Sequence, residues 1–143
     1  MILTTKAKYA MMAMIDLYEE IDKNKKPISL FSISQRQDIS LSYLEQIFAN
    51  LRKSGIVKSV KGPGGGYALA KNAQEISVAD IILATGENIK MTSCKNSAGG
   101  CKIAIKEDKK KCKTHHLWFG LEKNIHDYLN SISIYDIYKN GNN

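Results

Sequence analysis

The sequence predicts a mainly α-helical protein, and three features lead to this fold class. Apolar residues recur every three or four positions over residues 5–22, as they do in an amphipathic helix. Two further helical segments, residues 30–37 and 41–54, are separated by only a three-residue turn. A glycine-rich stretch with strand-like flanks, SVKGPGGGYAL at residues 59–69, follows at once. Helix, turn, helix and hairpin together predict a winged helix-turn-helix domain, with a long helix toward the C-terminus.

Composition and charge limit what the chain can be. Its 143 residues, 43% of them hydrophobic, are enough for one compact domain with an extension. It has no run of eighteen apolar residues and no charged-then-apolar leader, so we expect a cytoplasmic protein. Most of the net charge of +7 lies in residues 1–71, which hold 11 basic and 6 acidic side chains. A basic half favours nucleic-acid binding, although a solvated lysine-rich surface would give the same counts.

The first helix is predicted from a stripe of small, aliphatic and aromatic side chains that begins after Thr4 or Thr5. The stripe consists of Ala7, Ala10, Met11, Met14, Leu17, Tyr18 and Ile21. Because methionine fills irregular gaps in protein interiors, we interpret these methionines as core residues and not as part of a cofactor site.

The second and third helices form the predicted helix-turn-helix. The second covers Leu30 to Gln37, and Ser40 can cap the third, which ends before Gly55. One face of the third helix is apolar and consists of Leu44, Ile47, Phe48 and Leu51. The other face is polar, and its side chains are of the types that hydrogen-bond to base edges and phosphates. From this segment we predict DNA contacts by Ser40, Ser42, Tyr43, Glu45 and Gln46. Glu45 has an alternative role, because it follows Ser42 by three residues and could form a capping box with it.

The glycine-rich stretch is interpreted as a hairpin and not as a phosphate-binding loop. Neither G-x-x-x-x-G-K-[ST] nor G-x-G-x-x-G opening a helix occurs in it. Its flanks at residues 56–60 and 67–70 are typical of short strands. Glycines at the tip suggest that side chains there would obstruct a surface that the hairpin approaches. We therefore predict that Lys61, Gly64 and Gly65 contact DNA.

The second half has a short predicted helix at residues 77–85, begun by Ser77, and then all three cysteines of the chain. Their pattern is Cys94-x6-Cys101-x10-Cys112-x2-His115. Clustered cysteines, odd in number, in a cytoplasmic protein favour metal or redox chemistry over disulfides. Three thiolates and one imidazole make one tetrahedral ligand set, which suits zinc or an iron-sulfur cluster. Three unligated cysteines in a loop are the alternative.

The last predicted helix begins near Leu117 and carries an apolar stripe. The stripe is formed by Leu117, Leu121, Ile125, Tyr128 and Ile132, with Trp118 and Leu129 beside it. It suits packing against a second copy of the chain, or against its own domain. His126 is expected at the surface, and the terminal NGNN is expected to have no regular structure.

The segment SLSYLEQIFANLRKSGIVKSVKGPGGGYALAK resembles the DNA-binding core of the IscR-type iron-sulfur cluster regulators of bacteria, whose relatives include NsrR and CymR. The stretches LTTKAKYAMMAM and SVADII match the same family, so the resemblance covers nearly the whole chain. It implies a homodimeric transcriptional regulator that binds a palindromic double-stranded DNA operator. It also implies a [2Fe-2S] cluster held by Cys94, Cys101, Cys112 and the histidine of the C-x-T-H segment, His115, with His116 as a neighbour. The spacing between Cys101 and Cys112 is longer than is usual in the family, which leaves the cluster type open.

The resemblance further implies two roles in DNA recognition. Lys61 stands where the family commonly has an arginine that enters the minor groove, and Glu45 stands where a glutamate makes some operators dependent on the cluster.

The resulting organisation has three parts. They are a DNA-binding domain at residues 1–86, a cluster-binding loop at 87–116, and a dimerisation helix with a C-terminal segment at 117–138. No catalytic constellation occurs. The competing hypotheses are a thiol- or zinc-based regulator and a thiol oxidoreductase, although the latter has no Cys-x-x-Cys motif.

Overall fold

The computed structural model describes residues 3–90 and 113–141. These residues form the helices α1 (Thr5–Asn24), α2 (Leu30–Gln37), α3 (Leu41–Lys53), α4 (Val78–Ala84), α5 (His115–Asn130) and α6 (Ile134–Gly141). Between α3 and α4 lie the strands β1 (Val57–Val60) and β2 (Gly66–Leu69) and a single 3₁₀ turn (Ala73–Glu75). The predicted fold class, mainly helical with a two-stranded hairpin, is confirmed. None of the described helices is long and apolar enough to cross a membrane.

The described residues belong to two compact units. One unit, called the body below, contains the described residues up to Asn88 together with Leu129–Gly141. The other contains the described residues 89–90 and 113–128, and so includes most of α5.

Polar residues begin the helices of the body because their side chains satisfy backbone N–H groups in the first turn. The Ser29 hydroxyl accepts a hydrogen bond from the amide of Ser32 at 3.2 Å, and the Ser40 hydroxyl accepts one from the amide of Tyr43 at 3.4 Å. Ser77 does the same for Asp80 at 3.0 Å. The predicted caps at Ser40 and Ser77 are therefore confirmed.

The core of the body lies between α1, α2, α3 and α4. Its largest fully buried side chains include Phe48, Met14, Leu17, Ile33 and Leu44. The predicted apolar face of α3 is entirely buried, and Met14 is a core residue as expected.

A partly buried ion pair joins α1 to the end of α2. The Asp16 carboxylate, which is only 6% exposed, accepts hydrogen bonds from Arg36 Nη2 at 2.6 Å and from Gln37 Nε2 at 2.8 Å. Arg36 Nε lies 3.1 Å from the second carboxylate oxygen. The hydrogen bond to Asp16 raises the pKa of Arg36. Three donors on two consecutive α2 residues thus hold the first helix of the helix-turn-helix against α1.

The C-terminal residues are anchored to the start of α4. The Val78 amide donates to the Ile132 carbonyl at 2.9 Å, and the Ile134 amide donates to the Ile76 carbonyl at 3.0 Å. Ser77 Oγ donates to Asn130 Oδ1 at 3.2 Å. Helix α6 then packs on α1, with its Ile134 fully buried.

Two sequence-based predictions about the C-terminus were wrong. The helix that was expected to continue through Ile132 ends at Asn130, because Ser133 caps a new helix. The Asp136 carboxylate accepts hydrogen bonds from the amide and the hydroxyl of Ser133, both at 2.9 Å, and these bonds lower the pKa of Asp136. The terminal NGNN, residues 140–143, was expected to have no regular structure, yet α6 continues to Gly141.

Candidate nucleic-acid interface and metal ligands

The outward face of α3 carries the side chains that were predicted to read DNA. Ser40, Ser42, Glu45 and Gln46 are exposed, and Tyr43 is half-buried. The opposite face, which contains Leu44 and Phe48, is buried in the core. Burial of one face thus orients the polar side chains of the other face outward, within the first two turns of the helix.

The capping alternative for Glu45 was wrong. Ser40 precedes α3 and caps it, so the third residue of the helix, where a capping box needs its carboxylate, is Tyr43. Ser42 lies inside the first turn, with its hydroxyl 2.9 Å from the Ser40 hydroxyl. The exposed carboxylate of Glu45 in the second turn therefore has no role as a helix cap.

Tyr43 is positioned by a contact that the sequence pattern did not reveal. Its ring meets the ring of Tyr9 edge to face, with the centroids 5.8 Å apart. Because Tyr9 lies in α1, the contact places the start of α1 beside the start of α3. The exposed Lys8 is adjacent to Tyr9 in the same turn.

The wing is an antiparallel hairpin that is held to the rest of the body at two places. Val57 pairs with Leu69, and Val60 pairs with Gly66. Ile28 adds a bridge to the other edge of β2, with hydrogen bonds of 2.9 and 2.8 Å between its backbone and that of Tyr67. The Tyr67 ring also packs edge to face against the ring of Phe48 in α3, with the centroids 5.0 Å apart. The hairpin that carries the exposed Lys61 is thus fixed relative to α3, the recognition helix of the helix-turn-helix.

The structure gives a different reason for two of the glycines. A Cβ atom at Gly65 would lie 2.2 Å from the carbonyl oxygen of Val60, and one at Gly66 would lie 2.3 Å from the carbonyl oxygen of Ile28. The surface that side chains would obstruct is therefore the chain's own backbone. Gly64 has a φ of +75°, which favours glycine, but its Cβ position faces open space.

A basic side chain beside the wing was also missed. Arg52, at the end of α3, donates from Nη1 to Ser59 Oγ on β1 at 3.4 Å. The guanidinium of Arg52 is therefore next to the strand that leads to Lys61. The sequence did not reveal this contact, because a basic residue in the last turn of a helix is common whether or not it contacts another element.

Of the four predicted metal ligands, the structure describes only His115. Cys94, Cys101 and Cys112 lie outside the described residues. His115 is the first residue of α5 and is partly exposed. The Thr114 carbonyl accepts hydrogen bonds from the amides of Leu117 and Trp118, at 3.1 and 3.3 Å, and Trp118 Nε1 donates to Thr114 Oγ1 at 3.2 Å.

Within residues 3–90 and 113–141, no three histidine, cysteine or acidic side chains come together as a possible metal site. A site that uses His115 therefore needs ligands from elsewhere in the sequence. The three cysteines supply a suitable donor set, because thiolates and imidazole are the ligands that both zinc and iron-sulfur clusters take. The residues present fit such a group.

Helix α5 differs from the helices of the body because none of its residues is buried. Its exposed large apolar side chains are Leu117, Trp118, Phe119, Leu121 and Tyr128. His126 is exposed as predicted. A helix with this much exposed apolar surface is typical of one that packs against a further partner.

A helix-turn-helix whose recognition helix presents a polar face beside a fixed, lysine-bearing wing defines the class of the winged helix-turn-helix DNA-binding transcriptional regulators. The family model Rrf2, described as an iron-dependent transcriptional regulator, matches residues 3–140, and the chain belongs to this family. The family consists of regulators and not enzymes, so the oxidoreductase hypothesis is excluded.

Named relatives and solved structures agree with this membership. The HTH-type transcriptional regulator IscR of Klebsiella pneumoniae is 44% identical over 138 residues, which cover 96% of this chain and 80% of the relative. The structure of T. potens IscR is similar with a TM-score of 0.76 and 35% identity, covering 99% of this chain and 88% of that one. The structure of CymR, the global cysteine regulator of B. subtilis, is similar with a TM-score of 0.77 and 29% identity, covering 97% of each chain. The predicted resemblance to IscR-type regulators and to CymR is confirmed.

Proposed function

We propose that this chain is a homodimeric regulator that binds a palindromic operator under the control of a [2Fe-2S] cluster. The observation that carries the DNA-binding part is the outward polar face of α3, presented beside a wing that is fixed to it through Tyr67 and Phe48. Each subunit places α3 in a major groove and Lys61 in the adjacent minor groove. The backbone of Gly64 and Gly65, at the tip of the wing, contacts the duplex.

The cluster is held by Cys94, Cys101, Cys112 and His115. Three observations support this assignment: the donor set of three thiolates and one imidazole, the family's description as iron-dependent, and the relatives named IscR. When bound, the cluster supplies a redox- and oxygen-sensitive group whose presence depends on the iron-sulfur supply. The residues of the chain contribute the ligands and the DNA-binding surface to which the cluster is coupled.

The test of the cluster is the visible spectrum of anaerobically purified protein, together with iron, sulfide and zinc analysis. Two iron and two sulfide per chain, lost on substituting any one of the three cysteines by alanine, is the expected result. Retention of all iron in Cys101→Ala alone would show that the long spacing before Cys112 has removed Cys101 from the ligand set. Colourless protein that contains zinc would contradict the proposed cluster and would indicate a structural zinc site instead.

The test of the DNA interface is Lys61→Ala, compared with Lys123→Ala on α5. Because the Lys61 ammonium neutralises a phosphate or enters the minor groove, its removal should weaken binding and make the salt dependence shallower by about one counterion. Lys123 is also an exposed lysine, and its removal should leave both quantities unchanged. Equal salt slopes for wild type and Lys61→Ala would contradict the placement of the wing.

Glu45 is the proposed link between the cluster state and the choice of operator. An exposed carboxylate in the recognition helix repels phosphates and leaves some base edges unpaired, so it disfavours particular sequences. Glu45→Ala should narrow the difference in operator preference between the apo and the cluster-bound forms. Titration of both forms on a panel of duplexes measures that difference, and a mutant that kept the full wild-type gap would remove Glu45 from the mechanism.

The homodimer is proposed from the exposed apolar side chains of α5. Leu121→Glu should convert dimer to monomer in sedimentation while leaving the far-ultraviolet spectrum of the body unchanged, since Leu121 is 36% exposed within one chain. A mutant that sedimented like the wild type would place the dimer interface elsewhere.

A second candidate is a regulator that responds through its cysteine thiols without a cluster. The similarity to CymR, which is named a global cysteine regulator, favours this candidate. Purified protein that contains no metal, and whose DNA affinity changes on reversible thiol oxidation, would favour this second candidate over the first.

A further inference from the structure

His115 is in contact with an aromatic side chain one turn further along α5. The rings of His115 and Phe119 are stacked, with centroids 5.9 Å apart and planes inclined by 21°. Stacked aromatic pairs at this separation attract each other. Side chains in a helix lean toward its N-terminus, so the ring at position 119 naturally lies over the residue four positions earlier.

Phe119 is not part of the apolar stripe assigned to the dimer. Successive residues of an α-helix are about 100° apart, so Phe119 lies roughly 180° around α5 from the centre of the stripe formed by Leu117, Leu121 and Tyr128. Its side chain is nevertheless 45% exposed. A large apolar ring at this position is explained neither by the core nor by the dimer face. Its ring lies beside the imidazole of a proposed ligand.

We propose that Phe119 is a positioning residue for the His115 ligand. The neighbouring, nearly parallel ring restricts rotation of the imidazole about its side-chain bonds. Both imidazole nitrogens lie in the plane of the imidazole, so a ring nearly parallel to that plane leaves them available to coordinate metal. This inference rests on the proposed cluster.

The effect on the cluster is a slower loss of iron. Aromatic pairs contribute about 0.5–1.5 kcal/mol beyond the area they bury, which corresponds to roughly a two- to twelvefold change in a rate or an equilibrium. Phe119→Ala should therefore release iron to a chelator about two to twelve times faster than the wild type. Phe119→Tyr keeps the ring and should stay within about twofold of the wild type.

Two further variants separate the stack from other effects. Phe119→Leu keeps apolar bulk without a ring and should release iron nearly as fast as Phe119→Ala. Lys123→Ala shortens an exposed side chain one turn further along α5 and should release iron at the wild-type rate. Equal rates for wild type and Phe119→Ala, or full rescue by leucine, would overturn the proposal.

A measurement on cluster-free protein tests the contact by itself. The ring current of an aromatic side chain shifts the resonances of neighbouring protons, so the imidazole C–H resonances of His115 should move in Phe119→Ala and remain near their wild-type positions in Phe119→Tyr. His115→Gln assigns these resonances among the three histidines. Unmoved resonances would show that the rings do not stack in solution and would overturn the inference.

Failure of the inference differs from failure of the proposed function. Wild-type protein that holds no iron after anaerobic reconstitution removes the cluster and with it any role of Phe119 toward it. Wild-type protein that holds iron, and loses it at the same rate with and without the ring, removes only the role of Phe119.

Discussion

The body and helix α5 place their apolar side chains in opposite environments. In the body, Phe48, Met14, Leu17 and others are fully buried, whereas α5 has no buried residue and leaves Leu117 and Tyr128 more than half exposed. The body therefore has its own hydrophobic core, while the apolar side chains of α5 stay exposed among the described residues. The contrast separates a region with a core of its own from the region that we propose meets a cluster and a second copy.

The largest expected effect comes from removing a core side chain of the body. Phe48 is fully buried and also packs on Tyr67 of the wing. Phe48→Ala should lower the free energy of unfolding by about 3–5 kcal/mol, because it removes buried apolar area and leaves a cavity. Urea denaturation of cluster-free protein measures this loss.

The matched substitution in the exposed helix α5 is Leu121→Ala. At low protein concentration it should change the unfolding free energy by less than about 0.5 kcal/mol, as is usual for surface positions. A loss comparable to that of Phe48→Ala would mean that α5 shares the core of the body, and the contrast between the two regions would fail.

The next largest effect is expected at the ion pair between α1 and α2. Asp16→Ala leaves three donors without their acceptor, but the Arg36 side chain is 36% exposed and can turn toward water. The expected loss of unfolding free energy is therefore about 1–3 kcal/mol, below the 3–5 kcal/mol typical of a fully buried pair. Asp16→Asn, which keeps one acceptor oxygen, should lose less. A loss near zero for both variants in urea denaturation would show that the pair adds nothing to the stability of the body.

A smaller, local effect is expected in the wing. Gly66→Ala places a Cβ atom 2.3 Å from the Ile28 carbonyl oxygen at a φ of +154°, so the bridge between Ile28 and Tyr67 must open. We expect a cost at the upper end of the range of about 1–3 kcal/mol, larger than at Gly64, and weaker DNA binding. Gly64→Ala has open space around its Cβ and a φ of +75°, and should cost only about 1–2 kcal/mol. Equal losses would show that strain in φ, and not the contact with Ile28, sets the requirement for glycine.

The smallest expected effect is a pH dependence at the start of α6. Hydrogen bonds from Ser133 lower the pKa of Asp136 below its ordinary value of 3.8. The stabilisation is therefore fully present above that value and is lost as the pH falls through the lowered pKa. Amide hydrogen exchange in α6 should speed up in this acidic window in the wild type and show no such step in Asp136→Asn. The control is Asp127→Asn on the exposed surface of α5, which should keep the wild-type step.

Local sequence features predicted most of the body correctly. The three- and four-residue periodicity predicted α1, and the hydroxyl residues Thr4, Ser40 and Ser77 marked the starts of α1, α3 and α4. The predicted bounds of α2, Leu30 to Gln37, were also correct. These signals work because helix formation and capping involve residues that are neighbours in sequence. The break between α5 and α6 was missed although Ser133 and Asp136 form the S-x-x-D pattern of a capping box. The apolar stripe that leads into Ile132 hid this pattern.

The sequence by itself determined the polar face of α3, the basic wing and the donor types of the proposed ligands Cys94, Cys101, Cys112 and His115. The tertiary structure decided which residues hold that surface in place. Tyr9 meets Tyr43, Asp16 meets Arg36, and the Ile28 carbonyl excludes a side chain at Gly66. Each of these pairs joins residues that are 20 or more positions apart. Periodicity and capping rules describe only neighbours along the chain, so contacts between distant residues are determined once the helices pack around a common core.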